Sequence, residues 1–175
     1  MSDHNSGFVG GAFLGFNYQF TGTIISGLEA DISVGDLDGR IAFDQPRCSF
    51  VGRLGSLDNG DRPATFFYGL VGLTCARFEV SLTKSRTTTT LDPDFLPIFT
   101  TVTDVADANK WLWGYTVGGG FERETGWTIA DRPIRWGMEY RYSAYDNWNL
   151  VFGGSSLNIH PVIQEIRLRA TVPLN

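Results

Sequence analysis

The sequence predicts an all-β fold: an antiparallel, transmembrane, up-and-down β-barrel of the eight-stranded type, with seven strands identifiable along the chain. Three observations predict it. Bulky apolar residues alternate with small or charged ones along most segments, at the period of two that a strand imposes. The connections between these segments alternate between short and long. No run of about 18 apolar residues exists to make a membrane-crossing helix, so a chain that crosses a bilayer must do so with strands. At 175 residues and 19.4 kDa, residues 1–175 read as one domain.

The alternation is clearest between Trp111 and Trp148. Trp111, Trp113, Tyr115, Val117 and Phe121 fall on one face with Trp136, Met138, Tyr140 and Tyr142. Thr116, Gly118, Gly120 and Glu122 fall on the other with Arg135, Gly137, Glu139, Arg141 and Ser143. A soluble sandwich would bury the aromatic face and give its other strands polar exteriors, which this sequence mostly does not do. The pattern fits a barrel turned inside out, with hydrocarbon outside and a polar lumen.

Taken in order, residues 7–20 alternate Ala12, Leu14, Phe16, Tyr18 and Phe20 against Phe13, Gly15, Asn17 and Gln19. Thr21-Gly22-Thr23 is a tight turn. Residues 24–33 set Ile24, Leu28, Ala30 and Ile32 against Gly27, Glu29 and Asp31. Val34 to Arg47, with Asp38-Gly39 and Pro46, reads as a loop. Residues 48–57 form a strand with Phe50, Gly52 and Leu54 opposite Val51, Arg53 and Gly55, and Asn59-Gly60-Asp61-Arg62-Pro63 turns the chain. From Ala64 to about Leu82, Phe67, Gly69, Val71 and Leu73 face outward. Arg77 and Glu79 share their parity, so that part lies above the membrane or shifts phase at a bulge. Thr83 to Asn109, rich in Thr, Asp and Pro, is expected as an irregular exposed loop. The Trp111 hairpin turns over 124–133, and 147–160 is expected as a second loop. The last strand, from Val162 to about Leu174, sets Ile166, Leu168, Ala170 and Val172 against Glu165, Arg167, Arg169 and Thr171.

Short connections at 21–23, 58–63 and 124–133 thus alternate with long ones at 34–47, 83–109 and 147–160, as periplasmic turns and extracellular loops do. About five outward residues per strand give the ten that a tilted strand needs to cross the hydrocarbon. Tyr18, Phe20, Trp111, Trp113, Tyr115, Trp136, Tyr140 and Tyr142 supply lipid-facing positions and interfacial girdles. The strand count is odd, and an open sheet in lipid leaves unpaired backbone groups. A partner strand is therefore expected at the edges near Gly7 and Val162, supplied by an upstream first strand, by Met1 to Gly10 bent into one, or by another chain. The first of these is favoured.

The net charge of −5, with Lys84 and Lys110 the only lysines, excludes a basic nucleic-acid surface. A mean hydropathy of −0.08 is what alternating lumen and lipid positions average to. Cys48 and Cys75 are cross-strand neighbours if the hairpin between them is centred near Asp61 and Arg62. They then read either as a bridge or as two small apolar strand residues, the second being the expectation. The N-terminus, MSDHNSGFVGG, has neither the charged nor the apolar region of a signal peptide, which an exported barrel needs.

Gly15-Phe16-Asn17-Tyr18-Gln19-Phe20, Gly27-Leu28-Glu29-Ala30-Asp31-Ile32, Gly52-Arg53-Leu54-Gly55, Gly114 to Glu122 (GYTVGGGFE) and Glu139-Tyr140-Arg141-Tyr142 carry a resemblance. In order and spacing they resemble the small porin-like outer-membrane β-barrels of Gram-negative bacteria, the opacity and surface-antigen type with an OmpA-like barrel. The resemblance implies eight strands, a signal peptide and first strand upstream of Gly10, and a terminal aromatic. The last is a point of departure, since the sequence ends Pro173-Leu174-Asn175.

The inward polar set is Asn17, Gln19, Glu29, Asp31, Arg53, Glu122, Glu139, Arg141, Arg167 and Arg169. An eight-stranded lumen is just wide enough for side chains to fill, so these residues are expected to plug it with ion pairs rather than to line a passage. Glu122 and Glu139 beside arginines are unsuited to acid–base catalysis. His4 and His160 lie apart, and neither a metal cluster nor a nucleophile motif is found. The sequence therefore points to a non-enzymatic outer-membrane barrel with long surface loops, needing no cofactor and surrounded by outer-membrane lipid. The alternatives are a soluble lipocalin-like barrel holding a small apolar ligand and, more remotely, a membrane-embedded lipid-modifying enzyme.

Overall fold

The computed structural model describes residues 7–37, 46–58, 64–91, 97–152 and 155–172. Strands β1 (Gly7–Gln19), β2 (Ile24–Leu37), β3 (Arg47–Asp58), β4 (Thr65–Leu91), β5 (Pro97–Ile129), β6 (Arg132–Tyr145) and β9 (Val162–Thr171) make one antiparallel sheet in the order β1-β2-β3-β4-β5-β6-β9. Between β6 and β9, β7 (Trp148–Phe152) and β8 (Ser155–Ile159) pair as a separate hairpin. The seven sheet strands are those that the alternation picks out. The sheet curls until its far ends meet across the concave side, where Arg169 on β9 reaches Glu29 on β2 and lies 4.0 Å over the Phe13 ring on β1.

Each neighbouring pair is antiparallel and the number of strands is odd, so β1 and β9, at the two edges, run in the same direction. Gly7–Gly10 pair with β2 within β1, so they are not free to form a strand of their own; residues 1–6 lie outside the described residues.

Several connections are more regular than expected. The supposed loop 83–109 is mostly strand: β4 and β5 stay paired without a register shift from Thr65↔Arg123 to Leu91↔Pro97. Its many threonines are β-branched and favour extended backbone, and Thr87 and Thr101 hydroxyls meet across the ladder at 3.1 Å. Beyond Ala76, where β3 ends, the two strands continue as a two-stranded ribbon roughly 50 Å long at about 3.3 Å per residue, its base packed against Trp148 and Ile163. Arg77 and Glu79 keep the outward parity without a bulge, and Phe78 and Val80 are buried opposite them.

Residues 147–160 are likewise the β7–β8 hairpin rather than a loop, and its Trp148 is buried. The 124–133 turn tightens to Ala130-Asp131, whose φ values of 49° and 62° give the twist that two-residue hairpins need, after a register shift between Glu124 and Thr128. β2 and β3 shorten the 34–47 loop from both ends; residues 38–45, the 59–63 turn and residues 173–175 lie outside the described residues.

Cys48 and Cys75 are disulfide-bonded, contrary to the reading as two apolar residues. They are register partners, and their Cα separation of 5.2 Å lies within the range a disulfide spans. The bond closes a sequence separation of 27 residues. Replacing both cysteines with serine is expected to lower stability by about 3–4 kcal/mol through the looser unfolded chain, measured by urea unfolding in detergent micelles. An unchanged midpoint would show that the ladder holds its register unaided.

Candidate functional site: a buried ionic layer

The concave face carries charge where a globular core would carry hydrocarbon. Glu29 and Asp31 on β2, Arg53 on β3, Glu122 on β5, Glu139 and Arg141 on β6 and Arg169 on β9 are all buried. Strand parity puts each on the inner face, because cross-strand partners share a face. Small neighbours leave the room: a Cβ on Gly120 would come within 2.9 Å of the Tyr68 hydroxyl and 3.0 Å of the Glu139 backbone.

Arg141 is the hub. Its Nη1 donates to Asp31 Oδ2 at 2.6 Å and to Ser49 Oγ at 2.8 Å, its Nη2 to Glu29 Oε1 at 3.1 Å, and its Nε to Glu139 Oε1. Ser49 in turn donates to Asp31. Arg169 holds Glu29 with both terminal nitrogens and reaches Glu139 Oε2 at 2.8 Å. Arg53 bridges Glu29 at 3.2 Å and Glu122 at 2.6 Å, with its guanidinium 3.8 Å over the Tyr68 ring. Arg167 joins Asp31 to Glu165, and Arg47 approaches Glu165 at 3.4 Å. Arg47, Arg53, Arg141, Arg167 and Arg169 thus face Glu29, Asp31, Glu122, Glu139 and Glu165: five charges of each sign in one network. Such neutrality matters because an unmatched buried charge costs several kcal/mol, about.

Apolar clusters flank this layer. Val51, Phe66, Tyr68 and Leu70 pack on the β3–β4 side. Ala76, Phe78, Val80, Leu112, Tyr145, Trp148 and Ile163 pack at the base of the ribbon, with Phe78 and Tyr145 edge to face. Between the ionic layer and Tyr145 lies a polar cavity of about 10 Å³ bordered by Arg47, Ser33 and Thr116, roughly the size of one water.

Of the ten residues singled out in the sequence, eight belong to this network. Asn17 and Gln19 do not: they have the inward parity but are exposed near the end of the edge strand β1, and Gln19 Nε2 instead donates to Gly22 O in the turn. Sequence reasoning missed Arg47, Ser49, Tyr68 and Glu165 as members. Arg47 was absorbed into a loop by its neighbour Pro46, although a register summing to 123 sets it opposite Ala76. Tyr68 has the parity opposite to Phe67 and so faces inward, where its hydroxyl donates to Glu139 Oε2 at 2.8 Å.

On the convex side Tyr18, Phe20, Trp111, Trp113, Tyr115, Trp136 and Tyr140 are exposed and Tyr142 is half-buried. Leu14, Phe16, Leu28, Ile32, Phe50, Leu54, Phe67, Val71, Leu73, Ile166 and Leu168 are exposed with them. Fold and site together define an inside-out antiparallel β-protein, with charge buried and hydrocarbon displayed.

Comparison with known proteins points the same way. The chain is 27% identical over 144 residues to the 22 kDa outer membrane protein of Rhizobium leguminosarum bv. viciae, a match covering 82% of this chain and 56% of that protein. The chain thus spans little more than half the length of this relative. No family model matches the chain, and no solved structure matches it significantly.

Proposed function

We propose that the chain is the membrane-spanning barrel of a bacterial outer-membrane protein, porin-like in architecture, structural in role, and neither an enzyme nor an open pore. The observation that carries this reading is the convex band. On β4 it runs from Thr65 to Cys75, with Phe67, Val71 and Leu73 exposed, and ends at Arg77. On β5 it runs from Phe121 to Trp111 and ends below at Arg123. About ten residues on a tilted strand span an apolar belt of about 25 Å. The protein resides in the bacterial outer membrane, with the short turns on the periplasmic side and the β4–β5 ribbon and β7–β8 hairpin at the cell surface.

In this reading the ionic layer is a plug. Its charges are matched, the cavity beside Tyr145 is water-sized, and the cluster around Phe78, Tyr145 and Trp148 covers it. A lipocalin-like carrier would need an apolar interior and a polar exterior, the reverse of this arrangement. Because β1 and β9 run in the same direction, closure of the barrel calls for one more strand, antiparallel to both, either from the same polypeptide upstream or from a partner.

The full-length protein is expected to require detergent for extraction, to migrate faster on gels unheated than boiled, and to give no steady ion conductance in planar bilayers. Clean solubility without detergent would overturn the membrane reading; a stable conductance would overturn the plug.

A further inference from the structure

We propose that the cavity between the ionic layer and Tyr145 is a binding site for one water molecule, held by Arg47 and Ser33, and that this water ties Arg47 into the charge network. Arg47 and Ser33 are register partners at the end of the β2–β3 ladder, so their side chains share the inner face. Both are buried, at 6% and 4% exposure, and both border the cavity. Arg47 donates from Nη1 to Glu165 Oε2 at 3.4 Å, but Glu165 is already held by Arg167 at 2.6 Å. The Arg47 Nε and Nη2 groups have no acceptor, and the Ser33 hydroxyl has no partner. Two buried side chains on neighbouring strands thus bring unsatisfied polar atoms to one small space, where a bound molecule replaces the hydrogen bonds that burial removed.

Size, charge and hydrogen count fix the occupant. About 10 Å³ admits one water and nothing larger. A halide is bigger than water, and it would give a network of five charges of each sign one buried negative charge too many. A potassium or ammonium ion, close to water in size, would meet the guanidinium groups of Arg47, Arg141 and Arg167 against only two bordering carboxylates, and an ammonium would bring donors where acceptors are lacking. Water is neutral and does both. Its lone pairs take the N–H groups of Arg47. Its hydrogens find acceptors because the surrounding hydroxyls have given theirs away: Thr74 to Cys48 O at 3.1 Å, Ser143 to Thr116 Oγ1 at 3.0 Å, and Ser49 to Asp31. Through this water Arg47 on β3 is linked to hydroxyls of β4 and β6 across the concave side. Tyr145 belongs both to the cavity wall and to the apolar cluster around Phe78 and Trp148, so the water lies beneath hydrocarbon. The site stands whether or not lipid covers the convex face, since the groups that form it lie on the concave side.

Tyr145 and Tyr68 make the test internal. Both are buried, at 8% and 5% exposure, but only Tyr145 borders the cavity. A brief X-ray pulse on the folded full-length chain splits bound as well as bulk water into hydroxyl radicals, and mass spectrometry reads which side chains they oxidise. Tyr145 is expected to be oxidised several-fold more than Tyr68, and the excess is expected to vanish in Arg47→Met. Equal oxidation of the two tyrosines in the wild type would mean a dry cavity and overturn the proposal; an excess that survives Arg47→Met would take the water away from Arg47 and overturn it too. A crystal structure of the wild-type chain soaked in bromide decides without any variant. Solvent density within hydrogen-bond distance of Arg47 Nη2 and Ser33 Oγ, with no anomalous signal, is the expected result. No density there, or a bromide peak, would overturn the site.

Discussion

Arg141→Met is expected to destabilise the folded protein by about 3–5 kcal/mol, the cost of breaking a buried ionic network from one side. The side chain is 1% exposed and serves Asp31, Glu29, Glu139 and Ser49 at once. Its removal turns a network of matched charge into one with an extra buried carboxylate. Glu29 and Glu139 keep Arg169, and Asp31 keeps Arg167, so the loss is partial rather than total. Arg141→Lys should fall between, because an ammonium cannot reproduce the planar fork that contacts three carboxylates. The control is Arg135→Met, which breaks a pair with Glu124 whose side chains are 30% and 32% exposed, and should cost below about 1 kcal/mol. The urea midpoint in lipid vesicles reads all three. If Arg141→Met and Arg135→Met unfold alike, the ionic layer is not what holds the concave side together.

The strand pattern was legible because alternation is a local property. Phe67, Val71 and Leu73 declare their face from their own neighbours, and so do Glu139 and Arg141. What the chain does over 83–109 was not legible in the same way. Thr, Asp and Pro there suggest a loop by composition, and only the pairing of β4 with β5 through Leu91↔Pro97 reveals a ribbon. The ionic layer was readable as a set of inward charges but not as a network. Contacts such as Arg169 to Glu29, 140 residues apart, depend on how far the sheet curls, which no local pattern encodes. Asn17 and Gln19 show the converse: the parity is right, yet a residue near the end of an edge strand has no neighbour on one side to enclose it.

Val71→Arg should separate lipid from water as the surroundings of the convex face. Val71 is 62% exposed, near the middle of the β4 band between Thr65 and Arg77, with Gly52 and Val117 as register partners. On a solvated surface such a change stays within about 0.5 kcal/mol, with up to about 1 kcal/mol more from lost strand propensity. At the bilayer midplane the same guanidinium costs about 2–4 kcal/mol, because it must snorkel or draw water into hydrocarbon. Thr89→Arg, at an exposed site on the ribbon beyond the band, is the matched control and should leave the midpoint unchanged. Folding yield and urea midpoint in lipid vesicles measure both variants. A loss at Val71 with none at Thr89 follows only if the exposed hydrocarbon between Arg77 and Arg123 is covered by acyl chains; equal behaviour at the two sites would mean that this face meets water.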